Sequence, residues 1–481
     1  MSREAELEPA GNPYFEWFGV DAAIIHRVLS AAMERGAEFA DLYFQHRSGN
    51  SIGLEDGIIS RASTGVDRGV GIRVVIGDQT GYAYSEDIDL PSMLKAASTA
   101  ASIAAGGGGT VSPDLLPARR NDLYAIERGW DEVSVTEKLP LLQKTEALVR
   151  SMDPHIEKVT VSWADSDERV LIATSDGALV SDRRPMSRLA CAVTAIKDGE
   201  VQSNGSNIAA RQDIGWYDDA RLQTLCEEAV RRTMILFEAR RAPAGEFPVV
   251  LAAGASGILL HEAVGHGMEA DFNRKGTSIY ASMIDQQVAP DCVTVVDSAL
   301  HPHERGALNV DDEGNVTERT VLVEQGVMRT YLHDRISAKH YGVNPTGSGR
   351  RESFRHTPMP RMRCTYMENG PHTRDEIIES VKYGIVAETF RNGQVQIGAG
   401  DYTFYIRNGW LIEDGKITAP IKDCNIIGNG PESLRDITMV ADDMKLDTGG
   451  WTCGKDGQSV PVSQGMPTVL VSRLTVGGLN A

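Results

Sequence analysis

Apolar residues spaced three and four apart predict four amphipathic helices in the first half of the chain. Ile25, Val28, Leu29 and Ala32 form one stripe, and Met93, Leu94, Ala97, Ala101 and Ala104 an alanine-rich second. Leu141, Leu148 and Met152 share a face of the third. The fourth and longest carries Leu222, Leu225, Cys226, Ala229, Thr233 and Leu236 in phase. Arg240-Arg241 suit its C-terminal end, and Pro243 stops it. Between the helices the pattern changes to strand-like runs at residues 41–45, 51–54, 70–76, 159–163, 170–174 and 189–193. Ser48-Gly49-Asn50, Glu55-Asp56-Gly57, Asp176-Gly177 and Asp198-Gly199 read as turns between strands.

From Phe247 onward, short strands and glycine turns dominate. Residues 249–251 form a strand, and Gly254-Ala255-Ser256-Gly257 a turn in which Ser256 can cap the next helix. Hairpins are expected across Gln325-Gly326 and Asp414-Gly415, with brief helices at 375–381 and 433–437. The fold class is therefore α+β: a mixed helix/sheet N-terminal half, then a strand-rich C-terminal domain carrying the histidine-bearing helix after Ser256. At 481 residues two or three domains are expected. The expected divisions are a disordered acidic leader (1–12), an N-terminal α/β subdomain (13–108) ending in the run Gly106 to Gly109, a second α/β subdomain (109–243) and the C-terminal β-rich domain (244–481).

The formal net charge of −19 disfavours broad contact with nucleic-acid phosphates or anionic lipid. Arg350-Arg351, with Arg355 close behind, is a local exception that could bind a phosphate or carboxylate, or edge an interface. No apolar stretch approaches the length of a membrane span, and the acidic start lacks the basic and apolar regions of a signal peptide, so a cytoplasmic protein is expected. Six scattered cysteines without a C-x-x-C pair argue against a disulfide framework. Cys191, Cys226 and Cys292 lie in apolar segments and read as buried thiols.

One short stretch carries chemistry. In His261-Glu262-Ala263-Val264-Gly265-His266 two imidazoles flank a carboxylate, the set that zinc hydrolysis needs for ligands and base. The histidines of the common H-E-x-x-H helix are four apart and share a face. Five apart, they diverge by about 140° on a regular helix. A π-bulge or a kink at Gly265 is required to bring them together. For a third ligand the spacing leaves Glu269, Asp271, the pair His301/His303 and Cys453 open, with Lys455 placed to lower the pKa of a Cys453 thiol.

The stretch from His261 to Phe272 resembles the signature of the TldD/PmbA family of metallopeptidases. Leu54-Glu55-Asp56-Gly57 with Gly69-Val70-Gly71-Ile72-Arg73, residues 355–362, Ile427-Gly428-Asn429-Gly430-Pro431 and Cys453-Gly454-Lys455-Asp456-Gly457-Gln458 are similar to further blocks in the family's order. The resemblance implies His261, His266 and Cys453 as ligands of one zinc ion and Glu262 as general base. It implies unfolded or extended peptides as substrates. It also implies pairing with a TldE/PmbA-like subunit that lacks the motif, or with a second copy. His356 and Tyr402 are oxyanion-stabilising candidates by residue type only. Two other readings stand beside the zinc peptidase: a metal-dependent hydrolase or amidase of small molecules with a carboxylate third ligand, and a non-catalytic peptide-binding chaperone or regulator with structural zinc.

Overall fold

The computed structural model describes residues 12–104, 109–112 and 114–478. Residues 1–11 of the expected leader, and Gly106 to Gly108, lie outside them. The N-terminal half is built on one seven-stranded sheet, in the order Gln79–Ser85, Ile58–Ile76, Phe39–Glu55, Ile156–Thr174, Ala178–Lys197. The last of these pairs with both Glu200–Ala210 and Leu116–Pro117. The segments before and after the glycine run thus share a sheet.

Four of these strands are 17 to 20 residues long, several times the usual length. Two expected breaks are absent. Ser48-Gly49-Asn50 is not a turn: Gly49 lies mid-strand opposite Gly65 and Ser166, and a Cβ there would sit 3.2 Å from the Asp165 carbonyl oxygen. Glycine here serves close approach. Residues 159–163 and 170–174 belong to one strand, because the polar run between them finds protein partners. Lys138 Nζ lies 2.6 Å from Asp165, and Arg183 pairs with Asp167 at 2.9 Å.

Side-chain alternation divides the work of the sheet. Leu42, Phe44, Ile52 and Leu54 point to one face. Helices Ala22–Met33 and Leu90–Ala101 cover one end of that face, and Val135–Met152 with Asp219–Met234 the other, making two cores. The last helix stops at Met234, short of its expected end, and Arg240–Arg241 instead pairs as a strand with Ile421 and Lys422. The opposite face carries Asp41, Tyr43 and Gln45 and is covered by the C-terminal half. Arg73 donates to Asp41 at 2.6 Å and to Glu313 at 2.5 Å, Arg351 reaches Asp41 at 3.2 Å, and Phe354 packs with Tyr43.

In the C-terminal half the strands Gly245–Leu251, Val469–Gly478, Cys424–Asn429, Asp401–Glu413 and Tyr383–Gln396 pair in that order, and the last returns to the first, closing a small barrel. A six-stranded sheet centred on Val295–Ser298, Cys364–Met367 and Ser463–Met466 lies beside it. The expected hairpins across Gln325-Gly326 and Asp414-Gly415 form. The architecture is α+β, as the pattern predicts. The histidine helix is wedged between the two sheets: Leu260, Ala263 and Val264 join a core with Val249, Ile385 and Phe404 of the barrel and Val295, Met367 and Met466 of the sheet. Ser256 stands before this helix, but its hydroxyl donates to the Ala387 carbonyl (3.5 Å) and does not cap.

Candidate metal centre

Gly257–Leu260 begins as an α-helix and widens into a π-turn over His261–Gly265, where the His266 N–H reaches back five residues to the His261 carbonyl. The wider turn brings the imidazoles together, with ring centroids 5.1 Å apart and planes at 83°. Three neighbours fix it. Met362 fills the space above Gly265, where a Cβ would lie 2.0 Å from its sulfur. Gly430 abuts the Ala263 carbonyl so closely that a Cβ would lie 2.1 Å from that oxygen. The Tyr280 hydroxyl donates to the same carbonyl at 3.2 Å, tying the turn to a buried side chain.

The third member arrives from the two-stranded ribbon Thr452–Lys455 and Gln458–Pro461. Alternation along it buries Cys453 and Lys455 and turns Thr452 and Gly454 outward. Arg361 fixes the ribbon by donating to the Cys453 carbonyl at 2.6 Å. Cys453 Sγ lies 3.4 Å from His266 Nε2, and one ligand atom each of His261, His266 and Cys453 lie within 4.8 Å of one another, all three residues buried. Among the described residues this is the one such group of three. Two ligands of a tetrahedral zinc, with bonds of about 2.0 and 2.3 Å, are separated by about 3.5 Å. The set therefore fits zinc in chemistry and in spacing, and the buried His261 Nδ1 has no hydrogen-bond partner among the described residues. Glu262 stands beside the group with its side chain 22% exposed, Oε2 3.8 Å from His266 Nε2.

Behind the histidines lies a carboxylate that sequence reasoning treated only as a possible ligand. Glu269 is fully buried, and its Oε2 accepts from His266 Nδ1 at 3.0 Å and pairs with Lys455 Nζ at 3.1 Å. Lys455 also binds Asp271 (2.7 Å) and the Pro360 carbonyl (3.1 Å). Burial opposes ionisation of Glu269, but Lys455 and His266 overcome it and hold the carboxyl down at about 2. Burial alone would lower the His266 pKa; Glu269 and Cys453 reverse that and hold it well above the usual range. Burial would likewise raise the Cys453 pKa, and the two histidines hold it well below the usual thiol range. The expected influence of Lys455 on Cys453 is replaced by that of the histidines, because the ammonium is turned toward Glu269 and Asp271.

The remaining candidates lie elsewhere or are engaged. His301 packs edge-on against Tyr366, and His303 Nδ1 faces the Arg211 carbonyl at 3.2 Å. His356 meets Ser353 Oγ, and the Tyr402 hydroxyl pairs with Ser433 in the core. All six cysteines are free; Cys191 and Cys226 are buried as expected, whereas Cys292 is only half-buried. The signal for Glu269 was its spacing: three residues beyond His266, it lies within reach of the same ring.

Sequence models of the PmbA/TldA metallopeptidases match in order: domain 1 over residues 40–104, the central domain over 128–237 and the C-terminal domain over 244–478. A protein of Haemophilus influenzae named "Metalloprotease TldD homolog" is 41% identical over 463 residues, spanning 94% of this chain and 95% of its own. A "Zinc metalloprotease TldD homolog" of Saccharolobus solfataricus is 28% identical, with 94% and 99% covered. The crystal structure of TldE from Thermococcus kodakarensis shares the fold, with a TM-score of 0.75 at 18% identity over 95% of this chain and 100% of that one. No helix among the described residues is long and apolar enough to cross a membrane.

Proposed function

Because the chain belongs to the PmbA/TldD family of metallopeptidases, we propose that it is a zinc peptidase in which His261, His266 and Cys453 hold one ion and Glu262 is the general base. The observation that supports this reading is the π-turn, which joins two imidazoles to a thiolate carried by a distant ribbon and leaves Glu262 partly open beside them. When bound, zinc supplies Lewis acidity toward water and toward a carbonyl. Glu262 accepts the proton of the attacking water and delivers it to the leaving amine. Glu269 holds the His266 ring by its Nδ1–H, which leaves Nε2 facing Cys453. An extended, unfolded peptide suits such a site, since main-chain pairing along a sheet edge gives affinity with little sequence preference. The partner in this reading is a related subunit that lacks the histidine motif; a second copy of this chain is the alternative.

Neither competing reading has a comparable observation. A carboxylate third ligand would have to be Glu269 or Asp271, and Lys455 holds both. A closed structural zinc site needs no base, and Glu262 is the least buried member of the group. The test is Glu262→Gln. Zinc content should stay at parent level while cleavage of an unfolded peptide falls about 10²–10⁴-fold. Parent-level turnover by the variant would remove the assignment of the base.

A further inference from the structure

A cavity of about 330 Å³ lies between the N-terminal sheet and the C-terminal half, on the side of the Cys453 ribbon turned away from the histidines. Thr452, Ser459 and Pro461 of the ribbon form one wall, and the outward residues of three long strands another. Seven arginines and four carboxylates line it, leaving three positive charges over in a chain whose net charge is −19.

Two of the carboxylates have a cationic partner, and the other two accept only from neutral amides. Asp165 pairs with Lys138, Asp312 with Arg184 and the Arg351 amide, Glu168 with Gln45, and Glu352 with the Ser459 amide. Among the described residues Arg47, Arg188, Arg211, Arg305 and Arg350 make no ion pair. Arg211 and Arg350 are 3% exposed. Arg211 has one guanidinium bond, to the Pro185 carbonyl, and its buried Nε is unpartnered. Arg350 donates only to the Met362 and Pro461 carbonyls, and Arg305 to the Trp451 carbonyl and the Thr452 hydroxyl. Burial, with repulsion from Arg211, Arg188, Arg47 and Arg350, pushes the Arg305 guanidinium down to about 9. Cations removed from water are expensive unless an anion faces them, and arginine forks match the planar and tetrahedral oxyanions of carboxylate and phosphate.

We propose that this cavity is a binding site for a multiply charged oxyanion, of carboxylate or phosphate chemistry, that completes the ion pairing of Arg47, Arg188, Arg211, Arg305 and Arg350. Such a ligand is either a free small anion or the acidic side chains of a bound peptide. The proposal stands apart from the zinc chemistry, since the ribbon separates the cavity from the histidines. It does connect the two places mechanically: Arg305 grips the residues just before Cys453.

The test uses the full chain stripped of metal, so that the probes cannot report chelation of zinc. Pyrophosphate, citrate and a hexaglutamate peptide are titrated calorimetrically at constant ionic strength. Saturable binding of at least one probe is expected, weakened about ten-fold or more in Arg47→Gln/Arg188→Gln. These two arginines are exposed and make no ion pair among the described residues, and Arg188 gives up only a bond to Asn207 Oδ1, so the variant should stay within a few degrees of the parent melting temperature. Binding of pyrophosphate or citrate alone identifies a free anion as the ligand, and binding of the peptide alone an acidic segment. No saturable binding by any probe, or equal affinity in parent and variant, would overturn the proposal. Because metal is absent throughout, neither result bears on Glu262 or on the zinc ligands.

Discussion

Replacing Glu269 by Gln separates charge from shape at the least legible part of the centre. Both contacts of the carboxylate, to His266 Nδ1 and to Lys455 Nζ, fall on one oxygen, Oε2, while the buried Oε1 has no partner among the described residues. A glutamine can place its carbonyl oxygen where Oε2 is and its amide where Oε1 is. The geometry then survives and only the negative charge is lost. Removing an outer partner of a metal-binding histidine typically costs 10–100-fold in metal affinity, about 1.4–2.7 kcal/mol. Lys455 keeps Asp271 and the Pro360 carbonyl, so its charge is not orphaned, and the loss of folding stability should be about 1–3 kcal/mol, below the 3–5 kcal/mol typical of a broken buried pair. Zinc affinity is read by competition with a chromogenic chelator, and stability by chemical unfolding without metal. The pH profile gives a second readout. Glu269 is held at about 2 in the folded chain, against about 4.3 when unfolded. Its contribution is therefore complete above the unfolded value and lost as pH falls toward 2. Parent stability should decline more steeply than that of Glu269→Gln across that window. Zinc affinity within two-fold of the parent would refute the role given to this carboxylate.

Other consequences can be checked in the same preparations. In metal-free protein the thiolate absorbance near 240 nm, taken as parent minus Cys453→Ser, should persist below the pH at which an ordinary thiol protonates; a signal that appears only in the ordinary thiol range contradicts the influence of the histidines. Cys453→Ser should lose zinc on gel filtration, whereas unchanged zinc content would return Glu269 or Asp271 to the ligand set. Gly430→Ala drives a methyl into the fixed Ala263 carbonyl and should cost about 1–3 kcal/mol together with zinc affinity. Gly265→Ala meets only the flexible Met362 side chain and gains helix propensity, so it should cost less. The reverse order in thermal unfolding would mean that the π-turn is not braced from the Gly430 side.

How much of this was legible depends on how local each cause is. The five-residue spacing of His261 and His266 demands a widened turn on geometric grounds alone, and His261–Gly265 is π-helical. The helices of the N-terminal half followed from their stripes because each buries one face on a sheet. Gly49 and the acidic run 165–168 misled for one reason: glycine and clustered carboxylates normally mark loops, and here their partners come from strands and helices far along the chain. Cys453 could be singled out only through resemblance, since 187 residues separate it from His266. The Glu269–Lys455 pair was hidden for the same reason, because its logic exists only once the ribbon is folded against the helix.

The contact between the long-stranded sheet and the C-terminal half is sewn with charge as well as with apolar side chains. Asp41, Arg73, Glu313 and Arg351 are each buried, and each draws its counter-ion from the other side of the divide or from a neighbour that does so. Severed from its N-terminal companion, a polypeptide of residues 244–478 would bare Glu313 and Arg351 beside a newly wetted Phe354, and would be sticky and prone to misassembly. Transfer of the C-terminal half alone onto a foreign scaffold would therefore leave buried charges without their counter-ions.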